Sequence, residues 1–178
     1  MVDDSRRSDS DAAERASALL AALARYRDRR ALDGGDERSA VECLIEGVTD
    51  AEEMAAHHRR RIELVERAVE EEGLDREMAE EVYDIAREEG LEPAFAFELV
   101  RCGVAVCEPE EQEEPIATTS IKGQPEWLEA PVPTEEATRE RRLRMSFRRL
   151  RHLLEERPTA EDALIAFAQE PDVRRCGY

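Results

Sequence analysis

Apolar residues recur at spacings of three and four along most of the chain, which is the pattern of amphipathic helices. In the first such stretch, Leu19, Leu23 and Tyr26 share one face of a helix predicted over residues 11–32. Glycines and prolines follow the apolar stretches and predict where the helices end. The pattern predicts seven helices, which cover residues 11–32, 37–46, 49–72, the two intervals between Gly73, Gly90 and Gly103, and residues 134–157 and 159–170.

The predicted fold class is mainly α, an irregular helical bundle followed by a Pro-rich extended arm and a C-terminal helical pair. Prolines and a run of glutamates between residues 108 and 133 interrupt the helical pattern, and two short β-prone runs, 104–106 and 116–121, allow one small hairpin. The chain therefore divides into a disordered tail (1–10), an acidic helical bundle (11–103), an acidic and Pro-rich arm (104–133) and an Arg-rich helix plus C-terminal helix (134–178).

Charge distinguishes the last part from the rest of the chain. The sequence holds 44 Asp and Glu against 26 Lys and Arg, a net charge of −18, but residues 134–178 hold 10 basic against 9 acidic side chains. Seven arginines lie close together there: Arg139, Arg141, Arg142, Arg144, Arg148, Arg149 and Arg151. An acidic protein repels nucleic acid at long range, so this cationic helix is the clearest local exception.

The Arg-rich helix carries an apolar stripe beside a cationic row, and three interpretations follow. The stripe is Leu143, Phe147 and Leu150, and the row is Arg141, Arg144, Arg148 and Arg151. In the first interpretation the row pairs with acidic side chains of the same protein. In the second the stripe enters a groove on a partner protein and the arginines bind acidic residues around it. In the third the arginines of 139–151 bind the phosphates of nucleic acid.

No catalytic motif is present, which favours a non-catalytic protein without a cofactor. The four cysteines follow no secretion signal, so reduced thiols are expected. Of these, only Cys102 and Cys107 are close in sequence. That spacing raises the hypothesis of a redox or metal pair, but paired Cys or His ligands typical of a zinc site are missing. The sequence therefore predicts no metal site.

These observations favour a non-catalytic helical interaction protein, an accessory subunit or adaptor of a larger protein complex. The expected partner-binding residues are Arg141, Arg144, Arg148, Arg151, Leu143, Phe147, Leu150 and Trp127. Trp127, flanked by prolines, is expected either to pack back onto the bundle or to anchor a partner. The alternative is a nucleic-acid-binding regulator that uses the Arg-rich helix. A cytoplasmic location is expected, because no apolar run is long enough for a membrane span and the charge pattern of residues 1–11 does not fit a secretory signal.

Overall fold

The computed structural model describes residues 3–35, 39–46, 54–107 and 134–176. Within these ranges the chain forms seven helices and one small sheet, which confirms the mainly α class. The Pro-rich arm, with Trp127 and the β-prone run 116–121, lies outside the described residues. The elements are α1 (Asp3–Leu32), α2 (Ala40–Leu44), α3 (Met54–Glu72), α4 (Arg76–Glu88), α5 (Pro93–Cys102), β1 (Val104–Val106), α6 (Glu135–Glu156), α7 (Ala160–Gln169) and β2 (Val173–Arg175).

Helix α1 begins at Asp3, eight residues before the start predicted from the apolar pattern. Residues 3–10 were expected to be disordered because they carry no apolar stripe. However, no glycine or proline interrupts the chain between Asp3 and Leu32, so nothing in the backbone stops the helix from extending. The helix therefore reaches beyond the residues that it buries.

Side-chain caps and glycines set the helix ends. The side chains of Asp75, Thr134 and Thr159 each accept a hydrogen bond from a backbone N–H in the first turn of α4, α6 and α7, which satisfies a donor that the helix itself leaves open. Helix α5 ends at Gly103, whose φ of 66° is in the left-handed region. A side chain there would be strained and would meet the carbonyl oxygen of Cys176 at 3.0 Å.

The sheet joins the end of the bundle to the end of the described chain. Strand β1 pairs antiparallel with β2, with Ala105 opposite Arg174. The pairing extends by one hydrogen bond at each end, from Cys107 N–H to the Asp172 carbonyl and from Cys176 N–H to the Gly103 carbonyl, both 2.7 Å. The β-prone run 104–106 located β1, but the sequence did not indicate β2, because two of its three residues are arginines.

One hydrophobic core includes all the long helices, so α6 and α7 pack into the bundle. Helix α6 lies against α4 and α7, and the first helix lies against the seventh. Arg15 Nε of α1 donates to the Ala168 carbonyl of α7 at 3.0 Å, and Arg27 pairs with Glu161 at 2.5 Å. Because these contacts run in opposite directions along the two helices, α1 and α7 are antiparallel.

Ser146 ties α6 to β1, and its removal is expected to destabilise the fold. Its buried Oγ accepts from Val106 N–H at 2.8 Å and donates to the Arg142 carbonyl at 2.8 Å. Ser146→Ala leaves the Val106 N–H without a partner and should lower the free energy of unfolding by about 1–3 kcal/mol. Urea unfolding measures this, with the exposed cap variant Thr134→Ala as a control for an ordinary hydrogen bond. A loss no larger than that of the control would contradict the prediction.

Candidate interaction surface

The predicted apolar stripe of α6 lies inside the protein. Leu143 is 1% exposed, Phe147 2% and Leu150 1%. They surround a small void together with Val100 of α5 and Phe167 of α7. Docking into a partner would require this stripe at the surface, whereas here it contacts the chain's own core. A partner would reach these three side chains only if α6 left the bundle.

The predicted cationic row forms ion pairs along the seam between α6 and α4. Arg148 places Nε and Nη2 on the two oxygens of Glu89, both at 2.9 Å. Arg144 pairs with Glu88 and with Glu140. Arg151 of the same row donates to the Glu89 carbonyl at 3.3 Å. The first of the three interpretations, pairing within the chain, is therefore present in the structure.

These pairs keep the arginines charged but leave some of them open to a partner. Hydrogen bonds to Glu88 and Glu140 raise the pKa of Arg144, and those to Glu89 raise the pKa of Arg148. The Arg148 side chain is still 74% exposed. A guanidinium has five N–H donors, and Glu89 takes two of those of Arg148. Arg141 lies on the exposed face of α6.

A groove of about 920 Å³ runs between α6 and the connection from α7 to β2. We call it the α6 groove and define it by the lining residues Val106, Met145, Arg148, Arg149, His152 and Pro171. Met145 is 37% exposed, and Arg149 holds Glu170 of the connection at 2.7 Å. Arg148 and Arg151 of the predicted set belong to this groove, so the structure joins them to an apolar side chain that the sequence analysis did not select.

The same connection also borders a second depression, of about 1160 Å³, between α1 and α7. Small side chains such as Ala12 and Ala16 line it, while Glu170 and Pro171 belong to both linings. The segment from Glu170 to Arg174 therefore separates two open surfaces. Only the α6 groove combines an exposed methionine with a row of arginines.

A buried ionic cluster lies on another side of the bundle, where α1 crosses α5. The Glu98 side chain is 1% exposed and pairs with Arg25 at 2.8 Å and with Arg29 at 3.2 Å. A cavity of about 400 Å³ beside it is also lined by Tyr26 and Glu92. Sequence reasoning treated carboxylates as solvated surface and missed Glu98. The sequence does carry a signal for Glu98, because it is the one glutamate inside the apolar run of residues 93–100.

Tyr26 belongs to this polar region and remains protonated. Burial raises its pKa to about 12, and the nearby charge of Glu92 acts in the same direction. The hydroxyl donates to the Cys43 carbonyl at 3.2 Å and accepts from Arg30 Nη1 at 2.9 Å. It therefore links α1 to α2, with Cys43 buried in the core as its helical position indicated.

The hypothetical pair of Cys102 and Cys107, suggested by their spacing in sequence, is not the pair that forms. Cys107 is joined by a disulfide to Cys176, 69 residues away, while Cys102 remains a free thiol. Burial raises the pKa of Cys102, and its Sγ donates to the Leu99 carbonyl at 2.9 Å. The expectation of four reduced thiols is also contradicted. The pairing of β1 with β2 brings these two distant segments side by side, with Cys107 opposite Asp172 and Cys176 opposite Gly103. The disulfide therefore crosses the ladder diagonally, with 7.6 Å between its Cα atoms.

Residues 3–35, 39–46, 54–107 and 134–176 hold no group of three His, Cys, Asp or Glu side chains placed to bind a metal ion. No helix in these ranges has the length and apolarity needed to cross a membrane. Comparisons with protein-family models, curated proteins and solved structures found no match for this chain.

Proposed function

We propose that this protein is a non-catalytic helical interaction protein, an accessory subunit or adaptor, whose α6 groove binds a segment of a partner protein. The observation that carries the proposal is the exposed Met145 between paired but accessible arginines. Methionine adapts its shape to a bound apolar side chain, and the spare donors of Arg148 suit a carboxylate. The expected partner segment therefore combines an apolar residue with acidic neighbours.

The charge of the groove supports a short segment of this composition. Three arginines of α6 line the groove, each paired with an acidic residue that also lines it: Arg148 with Glu89, Arg149 with Glu170 and Arg151 with Glu155. A volume of about 920 Å³ is at the upper end of the range of about 300–1000 Å³ typical of ligand sites, which accommodates a few residues. Acidic groups of the partner would contact the spare donors of Arg148 and lie away from Asp172.

The first test compares two exposed apolar side chains. Met145→Glu places a carboxylate in the α6 groove, whereas Ile62→Glu makes the same change at a 43% exposed position on α3. Complexes of the tagged full chain are isolated from the source cell with and without nuclease and measured by native mass spectrometry. We expect Met145→Glu to weaken a nuclease-resistant complex by about tenfold or more. Equal binding by both variants, or equal loss in both, contradicts the proposal.

The second test separates partner contacts from contacts within the chain. Arg144→Glu with Arg148→Glu reverses the row and also breaks its pairs with Glu88 and Glu89. Adding Glu88→Arg and Glu89→Arg restores opposite charges across the seam, but it leaves a carboxylate on α6 at the place where Arg148 offered donors to the partner. We expect stability to recover in the fourfold variant while partner binding stays lost. Recovery of both would assign the row to the fold alone.

Nucleic-acid binding by residues 139–151 and a cytoplasmic location stay predictions. Phosphates would have to compete with Glu81, Glu88 and Glu89 for Arg139, Arg144 and Arg148, which does not favour this use of the row. The nuclease arm of the first test decides it. A complex that disappears with nuclease, and whose affinity falls steeply with salt, would replace the protein-partner proposal.

A further inference from the structure

The disulfide joins the two segments that build one side of the α6 groove. Cys107 follows β1 directly, and Cys176 follows β2 directly. Between α7 and Cys176 lie Pro171 and Asp172, which line the groove, while Val106 lines it from β1. The bond therefore closes the same pair of segments on which the shape of the groove depends.

Few other contacts hold the last segment in place. The ladder has three residues in each strand, and so short a two-stranded ladder is marginal by itself. Val173, 1% exposed, is the buried side chain of β2. Arg149 also holds Glu170, and Arg175 pairs with Glu14 at 3.3 Å where both side chains are more than half exposed. Together with the hydrogen bonds of Cys107 N–H to Asp172 and of Cys176 N–H to Gly103, these contacts are all noncovalent, and the disulfide adds a covalent link between the two segments.

We propose that Cys107 and Cys176 form a redox latch, in which the disulfide holds residues 171–176 on β1 and reduction releases them, opening the wall of the α6 groove. The sheet itself is the two-state element, because it is short enough to open locally without unfolding the bundle. The link from the latch to partner binding rests on the proposed function. The opening of the sheet on reduction does not rest on the proposed function.

The latch closes by thiol–disulfide exchange with a low-molecular-weight disulfide. The thiolate of one cysteine attacks a sulfur of that disulfide, breaks its S–S bond, forms a mixed disulfide and releases one small thiolate. The second cysteine, as a thiolate, attacks the protein sulfur of the mixed disulfide and releases the other small thiolate. The two protons lost by the cysteines end on the two released small thiols. One S–S bond and two S–H bonds are broken, and one S–S bond and two S–H bonds are formed.

The other two cysteines take no part in the latch. Cys43 is buried in the core, and the Cys102 Sγ donates to the Leu99 carbonyl. Cys102 is partly exposed, as Cys107 and Cys176 are. It therefore provides a matched control for a reachable thiol, one strand away from the pair.

Hydrogen exchange of the full chain tests the latch without a partner. The protein is equilibrated with reduced or oxidised glutathione, the thiols are counted by alkylation and mass spectrometry, and amide exchange is measured. We expect the amides of β1 and β2 to exchange about tenfold or more faster after reduction, with those of α7 unchanged. Cys107→Ser and Cys176→Ser should exchange fast in both states, while Cys102→Ser should behave as the native chain.

Two results would overturn the latch. One is equal exchange of β1 and β2 in both redox states although the thiols have changed. The other is a Cys102→Ser variant that loses the redox difference as Cys107→Ser does. The partner assay is read separately. Redox-dependent exchange without any partner binding leaves the latch and rejects the proposed function, whereas partner binding with equal exchange keeps the function and rejects the latch.

Discussion

Phe147→Ala is expected to lower the free energy of unfolding by about 3–5 kcal/mol. The ring is 2% exposed between α5, α6 and α7, so its removal leaves a cavity that the surrounding core fills only in part. Chemical unfolding followed by circular dichroism measures the loss. The matched control is Met145→Ala on the exposed face of the same helix, where a change within about 0.5 kcal/mol is expected.

The comparison between these two variants decides which face of α6 serves the fold. If Phe147→Ala changed stability no more than Met145→Ala and instead removed partner binding, the sequence prediction of a docking stripe would be right. The packing described above would then be wrong. In the reverse pattern, substitution of Phe147 lowers stability and substitution of Met145 weakens binding. That result supports the proposal that the α6 groove binds the partner.

The second large effect is expected when the buried glutamate loses its partners. Arg25→Met combined with Arg29→Met leaves the carboxylate of Glu98 buried without a counter-charge, which should cost about 3–5 kcal/mol of stability. The Glu98 side chain is 1% exposed, whereas those of Arg25 and Arg29 are 40% and 29% exposed. The arginines therefore remain largely hydrated without the glutamate, whereas the Glu98 carboxylate is almost completely shielded from bulk solvent.

This asymmetry gives the experiment its control. Glu98→Leu alone should change stability by much less than the arginine pair, and adding it to Arg25→Met and Arg29→Met should restore most of the loss. A thermodynamic cycle over the four proteins isolates the coupling. Additive effects, with the triple variant no more stable than the double, would show that the cluster does not act as a unit.

Much of the fold follows from local signals in the sequence. The spacing of Leu19, Leu23 and Tyr26 places one buried face, and Gly73 and Gly103 mark helix ends, because these features depend on residues a few positions apart. The start of α1 was misplaced by eight residues because an apolar stripe reports what a helix buries rather than where its backbone stops. Strand β2 was missed because its conformation depends on pairing with β1, and the opposed residues Ala105 and Arg174 are 69 positions apart in sequence.

The candidate site also combines features that have a local sequence signal with features that depend on contacts between distant residues. The apolar face of α6 was located correctly, but periodicity does not say whether a partner or the chain itself covers that face. The ion pairs of Arg144 and Arg148 needed the position of α4, and the bond between Cys107 and Cys176 needed the sheet. Met145 and Glu98 each had a local signal. One is the lone methionine among arginines, and the other is the lone carboxylate in an apolar run.

The antiparallel contact between the first and the seventh helix constrains how the chain folds during its synthesis. Until α7 leaves the ribosome, the face of α1 that it covers has no partner, and roughly 150 residues separate the contacts of the two helices. At about 5–20 residues per second this interval lasts about 8–30 s. During this interval the part of α1 that α7 covers stays open to solvent or to other molecules, so we expect chains that end before α7 to aggregate more readily than the full chain.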